Sequence, residues 1–306
     1  MANPIDLKMT VIDGDYKGPH LLISGGVHGD EYEPMTTVRR LREQITPAQL
    51  SGRLTLVPVA NESAFELGQR CGEDGLDLAR VFPGRPDGSI TEQVAYALTE
   101  IIEEADYFVD LHTGGNICQV LPMAGYSLHP NEEILESQRK MARAFNLPFI
   151  WGTTPNLDGR SLSAARDANV PAIYAEYLGG GGCSEKGVHA YTEGCLNIMA
   201  TLSMIDRTLP EPYIEYVVED ERENAGHMQI NNPSPMSGYF EPTVELGQFV
   251  CKGHELGTVC DPNGDRVETV VSAQSGIILT LRTRPPVEKG DFLAVIVDVN
   301  RPLGGF

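Results

Sequence analysis

The 306-residue sequence predicts an α/β fold followed by a β-rich C-terminal part. Up to about residue 210, short apolar runs typical of buried strands alternate with stretches whose apolar residues recur three to four apart, as in helices. From Tyr213 onward only short strand-like runs remain, separated by Gly, Pro and Asn. We therefore expect one domain over residues 1–210 and a second, all-β domain over residues 211–306.

Composition narrows the functional classes. The chain is 41% hydrophobic and 22% charged, as in ordinary globular proteins, and its formal net charge of −20 disfavours nucleic acid and anionic membranes as partners. It has no run of about eighteen apolar residues, the length that predicts a membrane-spanning helix. Residues 1–6 lack the basic and apolar regions of a signal peptide. The six cysteines include no Cys-x-x-Cys pair, so we expect reduced thiols and a cytoplasmic protein.

The first strand–loop–helix unit carries a His-x-x-Glu pair, His28 and Glu31. Residues 20–24 form a strand-like run, and apolar residues over 35–45 follow helical spacing. Two side chains three apart at such a corner can face one point. An imidazole and a carboxylate supply two of the three ligands of a two-His-one-Glu zinc site. The same pair also fits a capped helix start with an exposed glutamate.

A second strand-like run, residues 107–111, leads directly into His112 and two glycines. In open α/β sheets, ligands bind beyond the carboxyl ends of the strands, so His112 can join His28 and Glu31 there. Asp110 either accepts a hydrogen bond from an imidazole N–H or caps a turn.

These motifs resemble the succinylglutamate desuccinylase/aspartoacylase family of the zinc carboxypeptidase clan, whose members are zinc amidohydrolases acting on small N-acyl amino acids. Several motifs carry the resemblance over the first two-thirds of the chain, and overall pattern carries it over the last third. It implies a zinc-carboxypeptidase-like mixed β-sheet flanked by helices, with a C-terminal barrel-sandwich-like domain that walls the active site. It also implies one Zn²⁺ per chain, held by His28, Glu31 and His112.

Two arginines match family positions after another predicted strand, residues 53–59, which lies between the two runs described above. The family has an arginine there that helps to polarise the scissile carbonyl, and Arg70 matches it, although a surface arginine is the simpler interpretation. Residues 74–84 resemble the family's Asp-Leu-Asn-Arg and Phe-Pro-Gly motifs, whose Asn-Arg pair binds the substrate's α-carboxylate. Arg80 is retained, whereas Ala79 replaces the asparagine, so the resemblance implies a carboxylate held with one donor fewer.

The remaining α/β elements lead to a candidate general base. Residues 89–102 and 131–145 predict helices, and residues 151–166, rich in Gly, Pro, Asn and Ser, predict a loop over the pocket. Residues 170–178 predict a strand that carries Glu176 near its end, and four glycines follow it. The resemblance implies that Glu176 is the general base. Acidic residues at strand ends are also common without any catalytic role.

The C-terminal part contains a pattern found in carrier domains. Residues 238–257 and 275–291 resemble the hammerheads of lipoyl and biotinyl domains, which carry a modified lysine at a hairpin tip. The predicted tip, residues 270–275, has no lysine. This favours a structural module beside the pocket.

Together, the motifs predict a zinc-dependent amidohydrolase, a deacylase that removes an acyl group, most simply acetyl, from a small N-acyl amino acid. Arg80 supplies one fixed positive charge for one carboxylate, and the chain's acidity favours a zwitterionic or cationic substrate. N-acetyl-2,4-diaminobutyrate therefore fits better than N-acetylaspartate or N-succinylglutamate. A zinc carboxypeptidase acting on short peptides and a non-catalytic β-domain scaffold stay open as alternatives. Whether the chain forms a homo-oligomer is also open.

Overall fold

The computed structural model describes residue 5 and residues 7–299. Among these residues, no helix has both the length and the apolar character needed to cross a membrane. The predicted absence of a signal peptide concerns residues 1–6, of which 1–4 and 6 lie outside the described residues.

The chain alternates strands and helices up to residue 201 and then forms mainly short strands. The N-terminal elements are β1 Thr10–Asp13, β2 Tyr16–Ser24, α1 Tyr32–Gln44, β3 Ser51–Val57, α2 Glu62–Leu67, α3 Ile90–Glu103, β4 Tyr107–His112, β5 Cys118–Ser127, α4 Glu132–Phe145, β6 Phe149–Thr153, α5 Ser161–Asp167, β7 Ala172–Gly179 and α6 Glu185–Thr201. The C-terminal strands are β8 Tyr216–Glu219, β9 Gly238–Pro242, β10 Phe249–Val250, β11 Glu255–Cys260, β12 Val267–Val271, β13 Gly276–Arg282, β14 Pro286–Val287 and β15 Ala294–Val297. This order confirms the predicted fold class.

A mixed sheet of 11 strands forms the centre of the molecule, with the main order β1-β3-β2-β4-β7-β5-β13-β10. Strand β15 pairs with β13, β6 with β5, and β8 with β6. Strands β3, β2, β4 and β7 are parallel to one another, so their carboxyl ends lie at one edge of the sheet. Across neighbouring strands, Ser24 pairs with Asp110 and His112 pairs with Glu176.

Alternation along β2 accounts for the two helical layers. Leu21 and Ile23 belong to the core formed with α1, α4 and α6, whereas Leu22 belongs to the core formed with α3 and α5. Successive strand side chains point to opposite faces, so a strand covered on both faces is apolar at every position. The central sheet is therefore sandwiched between helices, and its polar residues collect at the strand ends.

The predicted loop over residues 151–166 was wrong at both of its ends. Trp151 belongs to β6, which is paired on both sides, by β5 and by β8. Ser161 begins α5, whose buried Leu162 and Ala165 pack against the α3 layer. Tertiary packing thus overrides a weak local pattern, and only the connection between β6 and α5 remains a loop.

The C-terminal strands build a second, four-stranded antiparallel sheet, β12-β11-β9-β14, and also extend the central one. Cys118 on β5 pairs with Arg282 on β13. The predicted hairpin tip at residues 270–275 was wrong, because that segment leads from β12 into β13, which belongs to the other sheet. The turn between β11 and β12 is at residues 261–266, which also lack a lysine. The domain boundary after residue 210 stays a prediction.

Candidate active site

The loop between β2 and α1 carries His28 and Glu31 to the edge where the parallel strands end. Ser24 is the last residue of β2, and Glu31 is the N-cap of α1. A Cβ built on Gly29 would lie 2.0 Å from backbone atoms of Ala64, so this close approach requires glycine. The tight turn places both members of the His-x-x-Glu pair at the sheet edge.

His112, the last residue of β4, completes a buried cluster with His28 and Glu31. Glu31 Oε1 lies 2.6 Å from Nδ1 of His28, and Glu31 Oε2 lies 3.1 Å from Nδ1 of His112. One ligand-type atom from each residue lies within 4.8 Å of the other two. The structure therefore brings together the three residues that the sequence singled out, called here the metal-ligand cluster.

Each imidazole of the cluster turns its other nitrogen to a second carboxylate. Nε2 of His28 lies 3.1 Å from Asp77 Oδ1, and Nε2 of His112 lies 3.0 Å from Asp110 Oδ2. An ionised carboxylate only accepts hydrogen bonds, so each Nε2 carries a proton and donates it. Both Nδ1 atoms are thereby left as ligand atoms beside Glu31. Two imidazoles and one carboxylate, with the imidazoles oriented by further carboxylates, are a donor set that fits Zn²⁺.

Burial disfavours the charged forms of the residues in this cluster, but the ion pairs between them favour those forms more strongly. Burial raises the pKa of Glu31, but His28 and His112 lower it well below its ordinary value. Burial lowers the pKa of His112, whereas Asp110 and Glu31 raise it well above its ordinary value. Metal ligation requires a deprotonated nitrogen on each imidazole. A bound cation would therefore replace the proton on each ligating nitrogen.

Arg70 lies beside the metal-ligand cluster, and Asp77 holds it there. Arg70 Nε donates to Asp77 Oδ2 at 2.9 Å, and its Nη1 lies 3.4 Å from Nδ1 of His28. Burial raises the pKa of Asp77, but the hydrogen bond from His28 and the charge of Arg70 lower it well below its ordinary value. Asp77 therefore orients one imidazole and one guanidinium together. No local sequence pattern predicted this role of Asp77.

Glu176 faces the metal-ligand cluster from the next strand. It lies opposite His112 in the pairing of β4 with β7 and is only 6% exposed. Its Oε2 has no hydrogen-bond partner among the described residues. Burial raises its pKa to about 7. Strand β7 spans Ala172–Gly179, close to the predicted range of 170–178, and Glu176 lies near its end as expected. The strand pairs antiparallel with β5.

Arg80 and Arg160, called here the arginine pair, carry charges that no carboxylate of the described chain balances by an ion pair. Arg80 Nη1 donates to the carbonyl of Ala79, and Arg160 Nη1 donates to the carbonyl of Asp158 at 3.2 Å. Burial lowers the pKa of Arg80 to about 10 and also lowers that of Arg160. The sequence did not point to Arg160, because it lies in the segment predicted as a loop.

One cavity of about 380 Å³ is lined by the metal-ligand cluster, Glu176, Arg70 and the arginine pair. Residues of the C-terminal part line another wall: Gly226, Met228, Thr280, Arg282, Asp291 and Phe292. Arg282 lies 3.0 Å from Asp291 Oδ2 and donates to the carbonyls of Arg284 and Pro286. The cavity thus combines a metal-binding group, a buried carboxylate and cations without carboxylate partners.

Comparison with known proteins gives a family match over residues 17–202, to the succinylglutamate desuccinylase/aspartoacylase catalytic domain. A full-length relative is N-alpha-acetyl-L-2,4-diaminobutyric acid deacetylase from Halomonas elongata. It is 32% identical over 294 residues, which cover 94% of this chain and 84% of the relative.

Solved structures share the whole architecture. A succinylglutamate desuccinylase from Silicibacter sp. TM1040 superposes with a TM-score of 0.86 at 25% identity, covering 95% of this chain and 88% of that one. The product-bound ectoine utilization protein EutE from Ruegeria pomeroyi gives a TM-score of 0.85 at 27% identity, with the same coverage of 95% and 88%. The similarity therefore includes the C-terminal strands as well as the catalytic domain.

Proposed function

The chain belongs to the succinylglutamate desuccinylase/aspartoacylase family of zinc-dependent deacylases, and we propose that it removes an acetyl group from small N-acetyl amino acids. The observation that carries this proposal is the composition of one cavity. It holds the metal-ligand cluster, the buried carboxylate of Glu176 and the unbalanced arginine pair. These are the groups needed to activate water, to move a proton and to anchor a carboxylate.

In this proposal, His28, Glu31 and His112 would hold one Zn²⁺ per chain. The metal would supply Lewis-acid activation of water and of the amide carbonyl. Asp77 and Asp110 hold the two imidazoles in the orientation that ligation requires, through their Nε2 protons.

Glu176 acts as the general base. Its free Oε2 accepts a proton from the attacking water and then delivers it to the nitrogen of the departing amine. Burial raises its pKa to about 7, which suits a group that must both take up and release a proton near neutral pH. Arg70, held by Asp77, points its guanidinium at the metal-ligand cluster, where negative charge develops on the carbonyl oxygen.

Arg80 and Arg160 anchor the substrate's carboxylate. Both are half-buried in the cavity wall, and a carboxylate between them would receive charge-assisted hydrogen bonds. Holding this group fixes the amide relative to Glu176, which raises the rate by orientation. The single positive charge expected from Arg80 alone therefore becomes two.

A substrate with a side-chain amine fits the remaining wall. Apart from Glu31 and Glu176, Asp291 is the acidic residue of the described chain that lines the cavity. The full-length relative is named for the deacetylation of a diamino acid. We therefore propose N-acetyl-2,4-diaminobutyrate or a close analogue as the substrate.

The test is a kcat/KM comparison on purified, zinc-replete protein. The panel contains N-acetyl-2,4-diaminobutyrate, its uncharged analogue N-acetyl-2-aminobutyrate, N-acetylaspartate, N-succinylglutamate and a tripeptide. We expect the diaminobutyrate derivative to be cleaved best, with about one zinc per chain by elemental analysis. Preference for either dicarboxylate would overturn the substrate assignment, and preference for the tripeptide would favour the carboxypeptidase alternative. Absence of all turnover would overturn the proposed function.

A further inference from the structure

Tyr174 projects into the same cavity as Glu176. It precedes Glu176 by two residues on β7, and residues two apart on a strand face the same side of the sheet. Both side chains line the cavity. The sequence predicted the strand but assigned no role to this tyrosine.

A glycine on the neighbouring strand makes room for the Tyr174 ring. Gly125 on β5 lies directly opposite Tyr174 in the strand pairing. A Cβ built on Gly125 would lie 2.3 Å from Cε1 of Tyr174 and 2.6 Å from its hydroxyl oxygen. The ring therefore lies against the Gly125 backbone, and this contact fixes the direction in which the hydroxyl points.

The Tyr174 hydroxyl has no hydrogen-bond partner within the described part of the chain. Two other tyrosines packed in the cores do have one: Tyr126 donates to Glu219 at 2.7 Å, and Tyr191 donates to the carbonyl of His112. Tyrosine hydroxyls that are shielded from bulk water normally donate a hydrogen bond to an acceptor. The Tyr174 hydroxyl is therefore free to donate to a molecule bound in the cavity.

The surroundings identify that acceptor as an anion. Burial raises the pKa of Tyr174, so the hydroxyl keeps its proton, and Glu176 and Arg160 lie near enough for their charges to act on it. Glu176 does not accept from the Tyr174 hydroxyl through its Oε2, which has no hydrogen-bond partner among the described residues. Next to Arg80, Ala79 offers no side-chain donor. The cavity thus contains two cations without a carboxylate partner and one neutral donor without an acceptor, all among the described residues.

We propose that the Tyr174 hydroxyl donates a hydrogen bond to the substrate's carboxylate, beside the arginine pair, and thereby selects substrates that carry this group. It supplies the neutral donor that Ala79 lacks. This inference rests on the proposed function, since it names a further contact of the same substrate.

The test compares Tyr174→Phe with wild type on N-acetyl-2,4-diaminobutyrate and on its carboxamide, which lacks the negative charge. Loss of a hydrogen bond to a charged group should raise KM for the carboxylate substrate about 10- to 100-fold, with little change in kcat. The carboxamide should be affected much less. Tyr177→Phe, on the same strand but packed in the opposite core, is the matched control and should behave like wild type.

A separate binding measurement keeps this inference distinguishable from the proposed function. If wild type cleaves no N-acyl amino acid, the proposed function fails, and calorimetric binding of free 2,4-diaminobutyrate then tests Tyr174 directly. Weaker binding to Tyr174→Phe than to Tyr177→Phe supports the contact. Equal KM and equal binding in the two variants would overturn it, as would a loss confined to kcat, which would place the hydroxyl at the reacting carbonyl.

Discussion

The metal-ligand cluster and the arginine pair are two charged groups in one cavity, and they differ in how their charges are balanced. Within the cluster, Glu31 contacts both imidazoles. Asp77 and Asp110 each accept a hydrogen bond from the other N–H of one imidazole. The arginine pair has only backbone carbonyls as direct acceptors.

This difference indicates what each group binds. A cluster whose members already hold one another is organised before a small ion arrives, because its geometry costs nothing further to arrange. Half-buried cations that have only backbone carbonyls as acceptors keep a cost in solvation, which a bound anion offsets. Under the proposed function, the metal-ligand cluster is therefore organised in advance, whereas the arginine pair would be completed by the substrate's carboxylate.

The largest expected effect is on the proton transfer that Glu176 performs, from the attacking water to the departing amine. Glu176→Gln keeps the side-chain shape but cannot accept a proton, so kcat should fall about 10²–10⁴-fold. Zinc content by elemental analysis should stay near that of wild type. Glu219→Gln, which changes an acid at the end of β8 outside the cavity, should keep normal turnover.

The pH dependence of kcat/KM, measured on wild type and on Glu176→Gln, is a second test of the same residue. Burial raises the pKa of Glu176 to about 7, and only its ionised form is a base, so kcat/KM should rise with pH and level off. A cation bound nearby lowers this pKa, so the rise should be complete by about pH 7. Near-normal turnover of Glu176→Gln, with the rise intact, would show that another residue is the base.

Removing one cation tests the other side of the comparison. Arg160→Gln takes away charge-assisted hydrogen bonds worth about 1.5–3 kcal/mol, so KM for N-acetyl-2,4-diaminobutyrate should rise about 10- to 150-fold. Zinc content should not change, because Arg160 contacts no metal ligand by an ion pair or hydrogen bond. Arg143→Gln, exposed on α4, is the control. An unchanged KM would remove Arg160 from the carboxylate site.

The sequence was sufficient for one of the two groups and insufficient for the other. His28, Glu31 and His112 each adjoin a strand-like run, so the strand order alone brings them together. Arg160 depends on the start of α5, which packing determines against a loop-like local sequence. Tyr174 looks like any strand residue until the pairing of β7 with β5 places Gly125 opposite it. Such roles come from long-range pairing, which no local pattern records.

A moderate effect is expected for a carboxylate behind the metal-ligand cluster. Asp110 accepts hydrogen bonds from the hydroxyls of Ser24 and Ser161 and lies 3.0 Å from Nε2 of His112. Asp110→Asn should weaken zinc binding about 10- to 100-fold, because the imidazole loses its charged acceptor and one of the two carboxylate oxygens becomes an NH2 donor. Competition with a zinc chelator measures this, with exposed Asp13→Asn as the control. Equal zinc affinity in both variants would mean that Asp110 serves only the strand end.

The smallest expected effect concerns the C-terminal wall, where the charges are again balanced within the protein. Asp291 is 39% exposed, and its Oδ2 is taken by Arg282 and by the amide of Glu288, which leaves Oδ1 for a substrate amine. A half-exposed ion pair contributes about 0.2–1 kcal/mol. Asp291→Asn should therefore lower the preference for N-acetyl-2,4-diaminobutyrate over N-acetyl-2-aminobutyrate by only about two- to fivefold.

Arg282 keeps its backbone acceptors, so the fold should persist. Glu288→Gln, in the same turn but outside the cavity lining, should leave the ratio of the two kcat/KM values unchanged. If both variants keep the wild-type ratio, Asp291 only anchors Arg282, and the selection of an amine must come from elsewhere in the cavity.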